Sequence, residues 1–292
     1  MDLFTFLEFS IVGIASGGIL ALIALGFVLI YKGTRVVNFA MGEFMMVGAY
    51  LFYTASVVLK LPVWAALPLA LGGIALLGVL VERAVLRPLS GQPVISVVMA
   101  TIGLASVLHG AADAIWGGSN LAMPELLPRS PLLMGEIMIP GQALWSFALA
   151  VAIIAAFVAF FRFSRNGVAM RAAASDPVTA CAMGINVRST TRLTWIFSGV
   201  TGAIAGIIVA SMTSLSPSLG HVALGVLAVI ILGGLDSVPG AIVAGLVIGW
   251  LESVTVGFLG GKVRDVVPYL VVLVILMARP YGLFGTRDVE RL

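Results

Sequence analysis

The chain has 292 residues, of which 61% are hydrophobic and only 10% charged, with a net charge of +3. An ordinary soluble domain carries about 25% charged residues, so this composition excludes a typical water-soluble fold and fits a chain whose outer surface meets lipid. One cysteine and two histidines exclude an internal disulfide and a Cys-based metal cluster.

Long runs without Asp, Glu, Lys or Arg are expected to be membrane spans, because a crossing takes about 20 apolar residues. Such runs are Phe9–Tyr31, Leu61–Val81, Pro88–Ala112, Ile137–Phe161 and Leu193–Leu235, the last long enough for a pair. Nine crossings are predicted, at 10–31, 38–59, 62–81, 93–115, 139–161, 193–214, 222–235, 240–258 and 266–279, in one transmembrane domain over 1–292. The first run is too long for a cleaved leader and is flanked by Asp2 and Glu8 rather than basic residues. The second crossing opens on polar groups, in Val37-Asn38-Phe39-Ala40-Met41-Gly42-Glu43. Asn38 and Glu43 are expected inside the bundle near its cytoplasmic side, with irregular backbone at 37–40. Glu82, Arg83 and Arg87 mark the end of the third crossing. In the fourth, His109 stands four residues before Asp113, so the two share a helix face. The seventh, 222–235, is too short for a full crossing and ends at Gly233-Gly234-Leu235-Asp236-Ser237-Val238-Pro239-Gly240. Gly and Pro there predict a break between two helices, with Asp236 exposed. Gly13/Gly17, Gly202/Gly206 and Gly245/Gly249 each make a small-xxx-small step that lets helices approach closely.

Placing the two basic breaks, at 82–87 and 162–192, in the cytoplasm puts twelve of the 16 basic residues inside, Arg287 and Arg291 among them. The positive-inside rule then sets the N-terminus outside and the C-terminus inside.

The loop 162–192 predicts a short helix outside the membrane. Asp176 is a favoured N-cap, Pro177 a favoured first helical residue, and Gly184 stands where a helix exit is expected. Between them Val178, Thr179, Ala180, Cys181, Ala182 and Met183 form a small, mildly apolar surface, with Arg171, Arg188 and Arg192 flanking. A helix of two turns is unstable alone and has to dock, either under its own bundle or into a partner.

Four segments in order resemble one family. Arg171-Ala172, Asp176-Pro177, Ala180 and Gly184-Ile185 are similar to the cytoplasmic loop of permeases that import branched-chain amino acids through ATP-binding-cassette (ABC) systems. Asn38 to Phe44 resembles the motif after that family's first span, Gly233 to Ala241 its Gly-rich break, and Arg279-Pro280-Tyr281-Gly282-Leu283-Phe284-Gly285 its C-terminal signature. Met41 and Asp236 depart from it, where a histidine and a glycine are expected. The resemblance implies an all-α polytopic bundle in the bacterial inner membrane, paired with a homologous second permease subunit, two cytoplasmic ATPases and an extracytoplasmic solute-binding protein. Relatives also carry urea and short amides. No Gly-x-x-x-x-Gly-Lys-Ser/Thr segment occurs here, so the resemblance assigns ATP to the partner subunits, with no cofactor in this chain and no nucleic acid. It makes the helix from Pro177 to Met183, with its caps Asp176 and Gly184, a coupling element for an ATPase.

Asn38, Glu43, His109 and Asp113 are the candidates for a solute path. The competing class is a stand-alone proton-coupled carrier or channel, which would use the intramembrane carboxylates Glu43, Asp113 and Glu252. An enzyme would need a nucleophile with its base, or grouped metal ligands, and neither histidine, His109 or His221, has paired ligand spacing.

Overall fold

A computed structural model describes residues 3–89, 91–134, 137–264, 266–279 and 281–285. Asp2, Pro280, Arg287 and Arg291, which entered the sequence reading, lie outside the described residues. The fold is all-α apart from two short paired strands. In chain order the elements are α1 (Leu3–Thr34), α2 (Met41–Tyr53), α3 (Val63–Val81), α4 (Val94–Trp116), β1 (Leu132–Met134), β2 (Ile137–Ile139), α5 (Gly141–Phe163), α6 (Arg165–Ser175), α7 (Pro177–Ala182), α8 (Val187–Met212), α9 (Leu219–Gly233), α10 (Val238–Leu259) and α11 (Val267–Ala278).

Among the described residues seven helices are long and apolar enough to cross a bilayer, and α9 and α11 are shorter apolar helices. The nine predicted crossings therefore each correspond to a helix. The shortness of α9 was expected from its Gly and Pro flanks. That of α11, 12 residues or about 18 Å, was not: Pro268 stands in its first turn and Arg279, in extended backbone, ends it. Two spans are extended by wide π-helical turns, α2 through Thr54–Val58 and α3 through Glu82–Leu86. The helix therefore does not end at Glu82: it runs on to Leu86, and Glu82 is buried within it.

The chain divides into two compact units. The first comprises residues 1–28, 127–151 and 225–292. Its packing centres on glycines: a Cβ at Gly17 of α1 would lie 2.8 Å from the Cα of Leu246 on α10, and one at Gly245 would lie 2.7 Å from the Cα of Ala21. Two of the small-residue steps seen in the sequence therefore face each other, and Ser253 on α10 locks the crossing by donating to the Phe9 carbonyl at 2.7 Å. Strands β1 and β2 pair antiparallel, with Leu132 opposite Ile139.

The second unit comprises 29–126 and 152–224. Its centre is the α2–α8 contact. Gly202 and Gly206 of α8 lie against Met41 and Met45 of α2, and Gly48 of α2 lies against Ala203. Phe44 packs with Trp195 at 6.1 Å between ring centroids, and Tyr50 stacks on Trp116 of α4 at 4.8 Å. Trp116 donates from Nε1 to the Thr54 hydroxyl at 2.8 Å, tying α4 to the π turn that closes α2. Of α4 itself only Thr101 and Ala112 are buried, so this span is covered on one side.

Candidate functional site

The loop expected to couple to a partner folds as two helices, α6 and α7. Ser164 caps α6 by accepting from the Gly167 N–H at 2.9 Å. Arg171 on α6 donates to the carbonyls of Phe161 and Arg162 and lies over the Phe161 ring, which fastens the loop to the end of α5. Ser164, a favoured N-cap residue, was the local signal for α6 and went unused; its inward residues Gly167, Met170 and Ala173 are too few to set a period.

Helix α7 is capped at both ends. Asp176 Oδ1 accepts from the N–H groups of Val178 and Thr179 at 2.9 and 3.1 Å, and its other oxygen accepts from the Thr179 hydroxyl. The Thr179 hydroxyl, with the Thr179 and Val178 amides, holds the Asp176 carboxyl below the usual carboxylate range. At the exit, Ile185 donates to the Ala180 carbonyl and Gly184 to that of Cys181, both at 3.0 Å. This double bond pattern needs a left-handed residue, and Gly184 supplies it at φ 83°. Ala180, expected on the docking surface, is buried at 4% exposure, whereas Val178 and Met183 are 80% and 79% exposed. In a six-residue helix only one side can face the bundle, and the one-turn spacing puts Ala180 on it. Pro177, Cys181 and Ala182 are exposed beside Val178.

The four residues considered for a solute path fall in two places. Asn38 closes the irregular stretch before α2, its Oδ1 accepting from the Ala40 N–H at 3.0 Å, while Phe39 N–H donates to Thr101 of α4 at 3.3 Å. Glu43, buried in the first turn of α2, lies 3.4 Å from Nδ1 of His109, whose Nε2 is 3.9 Å from Asp113. The His221 ring is 5.8 Å from that of His109, and the carboxylate of Glu43 rests against Gly220, where a Cβ would lie 2.7 Å from Oε1. Glu43 was expected near the edge of the hydrocarbon. It meets α4 at His109, about 22 Å along that helix from Val94. The stretch 36–40 before α2 is non-helical and ends in a turn, the Met41 N–H donating to the Asn38 carbonyl at 3.4 Å. Such backbone is tolerated at depth only when buried in protein and capped, as Asn38 does. The cluster offers two carboxylates and two imidazoles that can hold a proton or a polar solute. Nothing in it is a nucleophile paired with a base.

The Gly-rich segment is a turn between α9 and α10, as expected. Gly234 adopts φ 101° and Ser237 caps α10 by accepting from the Gly240 N–H at 3.1 Å. Pro239 is exposed in the first turn, and Asp236 is half-buried rather than exposed. Gly233 and Gly240 pack backbone to backbone, and the C-terminal segment closes on the turn: Leu283 donates to Leu232 at 2.8 Å and Phe284 to Gly233 at 3.1 Å. Two of the motifs quoted above thus form one structural unit, which their separation of some 40 residues conceals.

One ion cluster escaped the sequence reading. Glu82 Oε2 lies 3.4 Å from Arg87 Nη2 and 3.6 Å from Arg192 Nε, with the carboxylate side chain only 5% exposed.

Residues 10–276 match the family described as "Branched-chain amino acid transport system / permease component". The chain is 27% identical over 304 residues to the high-affinity branched-chain amino acid transport system permease protein BraD of Pseudomonas aeruginosa, covering 99% of each. It is 27% identical to the permease protein LivH of Salmonella typhimurium, covering 98% of this chain and 97% of that one. It is 28% identical to a probable permease protein LivH of Methanocaldococcus jannaschii, covering 91% and 89%.

Proposed function

Since the chain belongs to the permease-component family of branched-chain amino acid transport systems, we propose that it forms one membrane half of an ATP-driven importer in the bacterial inner membrane. The solute is a branched-chain amino acid or a related small polar molecule such as an amide or urea. A homologous second permease completes the path, two cytoplasmic ATPases bind and hydrolyse ATP, and an extracytoplasmic binding protein delivers the solute.

The observation that carries this reading is α7. A six-residue helix capped at both ends, outside the spans, exposes Val178 and Met183 almost fully. Apolar groups so presented have no role in the free chain and suit an apolar cleft in an ATPase. The orientation follows the charge count, with the N-terminus outside and α6–α7 in the cytoplasm.

Glu43, His109 and Asp113 line the solute path in this reading. Asp113 is 46% exposed on the uncovered side of α4, and a carboxylate facing lipid is costly. A face against the second subunit or an aqueous path suits it better. The same cluster favours the second reading, a proton-coupled carrier working alone.

One reconstitution separates the two. Liposomes holding this chain, its membrane partner and the ATPases, supplied with the binding protein, take up labelled leucine only with ATP on the ATPase side. Uptake by this chain alone, driven by a proton gradient without ATP, would refute the importer reading.

A further inference from the structure

A cavity of about 520 Å³ lies in the second unit, between the C-terminal end of α1, the π turn of α3, and the N-terminal ends of α4 and α8. These are ends of spans, on the side that the charge count places in the cytoplasm. The cavity therefore lies level with the headgroups of that leaflet. Its charged lining is Glu82, Arg87 and Arg188. The Glu82 carboxylate is already answered twice, by Arg87 at 3.4 Å and by Arg192 at 3.6 Å, so it has little to offer an occupant. Arg188 is exposed, and no carboxylate pairs with it among the described residues. Three arginines around one glutamate leave the site net positive.

Unanswered donors carry the same sign. Asn38 through Nδ2, Trp195 through Nε1 and Arg87 through Nε hold buried N–H groups with no acceptor among the described residues, and all three residues line the cavity. Asn38 and Trp195 are each 1% exposed. The Asn38 oxygen accepts from the Ala40 N–H, so turning the amide over does not remove the orphan. Buried donors without acceptors are rare and costly, and three around one cavity fit an occupant that brings acceptors and negative charge. The rest of the lining is apolar. Leu86, Val94 and Val97 form one wall, and α4 carries it outward through Val94 and Ile95, 59% and 62% exposed. A free phosphate has no use for that wall, whereas an acyl chain does.

We propose that this cavity holds the headgroup phosphate of an anionic phospholipid of the cytoplasmic leaflet, with an acyl chain leaving over Val97 and Val94. Arg188 and Arg87 supply the cationic donors, and a guanidinium suits a phosphate. Basic pockets between spans on the cytoplasmic side are a known form of lipid headgroup site. A zwitterionic lipid brings an ammonium that this lining has no free carboxylate to receive, so a net-anionic headgroup is preferred. Pro177, the first residue of α7, borders the same cavity. The bound lipid therefore stands beside the loop that carries the docking helix.

Neither solute nor ATPase enters this site, so it is tested on the full chain alone, and its failure leaves the importer reading standing. The chain is reconstituted in phosphatidylcholine nanodiscs holding a minor share of phosphatidylglycerol, and retained lipid is identified by native mass spectrometry. Phosphatidylglycerol is expected to be held in preference to phosphatidylcholine. Arg188→Gln, at an exposed residue with no ion pair to lose, should weaken that retention about fivefold. Arg165→Gln removes the same charge from an exposed position outside the cavity and should leave retention unchanged. Val97→Phe keeps every charge and fills the apolar wall, and it should weaken retention as well. Equal retention of the two lipids, an Arg165→Gln effect as large as that of Arg188→Gln, or full retention in Val97→Phe overturns the inference. Displacement of the lipid by inorganic phosphate also overturns it, marking a small-anion site. So does a chain that retains no lipid while Arg188→Gln weakens ATPase binding, because the arginine then belongs to the ATPase contact.

Discussion

Shortening Val178 to alanine tests the docking role of α7 with little disturbance of the chain itself. Val178 is 80% exposed and spends its side chain on no contact that the free protein needs. Burial in a partner cleft would be lost in proportion to the carbon removed. At about 0.8 kcal/mol per methylene, two carbons amount to about 1.6 kcal/mol, or a roughly fifteenfold weaker complex. Met183→Ala, at a residue 79% exposed, should act in the same direction. The assay is ATPase-subunit binding to the nanodisc-embedded membrane pair by biolayer interferometry, with thermal unfolding as the control for intactness. Unfolding should not move. If both variants bind the ATPase within about twofold of the native chain, the apolar face of α7 is not a docking surface. Ala180→Glu is the wrong probe, because Ala180 is buried and a carboxylate there disrupts the loop before any partner is involved.

Cys181, the one cysteine of the chain, is exposed on α7. An impermeant thiol reagent should label it in inside-out vesicles and not in intact cells, and bound ATPase should protect it; labelling in intact cells reverses the orientation. Asp176→Ala removes the cap and should expose the Val178 and Thr179 amides to faster hydrogen exchange while insertion is unaffected. Because the Asp176 carboxyl sits below its usual range, its contribution is complete above the ordinary aspartate value near pH 4 and is lost only as pH falls through its own lower value. Amide protection in α7 should therefore be flat from about pH 8 to pH 5. Glu43→Gln keeps the shape of the Glu43–His109 contact and removes its charge; unchanged uptake and assembly would rule out a charge-dependent role for Glu43. Gly206→Ala places a Cβ 2.8 Å from the carbonyl carbon of Met45, and such overpacking costs about 1–3 kcal/mol, read as a lower unfolding temperature in detergent.

What could be read from the sequence was what depends on neighbours along the chain. Uncharged runs locate the spans, since hydrocarbon length alone sets them. Asp176, Pro177 and Gly184 fix α7, because a cap acts within four residues. Asn38 likewise closes its own turn two residues on. Glu43 and His109, 66 residues apart, meet through the packing of α2 against α4, which no local pattern encodes. The same holds for Glu82, whose ion partner Arg192 comes from α8. The position looked like a loop charge because a basic pair follows it, and nothing in its vicinity announces the second arginine. The direction of Ala180 depends on how α6 hangs from α5 through Arg171, a contact ten residues long in sequence. The glycine steps were visible, but their partners were chosen by packing: Gly202 and Gly206 met methionines rather than another glycine step.

The wide turns that close α2 and α3 amount to single-residue insertions in otherwise regular helices. Each extra residue shifts everything beyond it by about 100° around the helix axis. In α3 that shift acts on the segment holding Glu82 and Arg87, so phase, and not only composition, brings acid and base to the same wall. Length variation confined to one residue would therefore be more damaging at 82–86 than a conservative exchange of any single side chain there. A deletion that restored an even α-helical pitch would leave the apolar content of the span almost unchanged while rotating its charged end away from α8. Span-finding by hydropathy would score the two versions alike, although they differ in the one property, angular register, on which the Glu82 ion cluster depends.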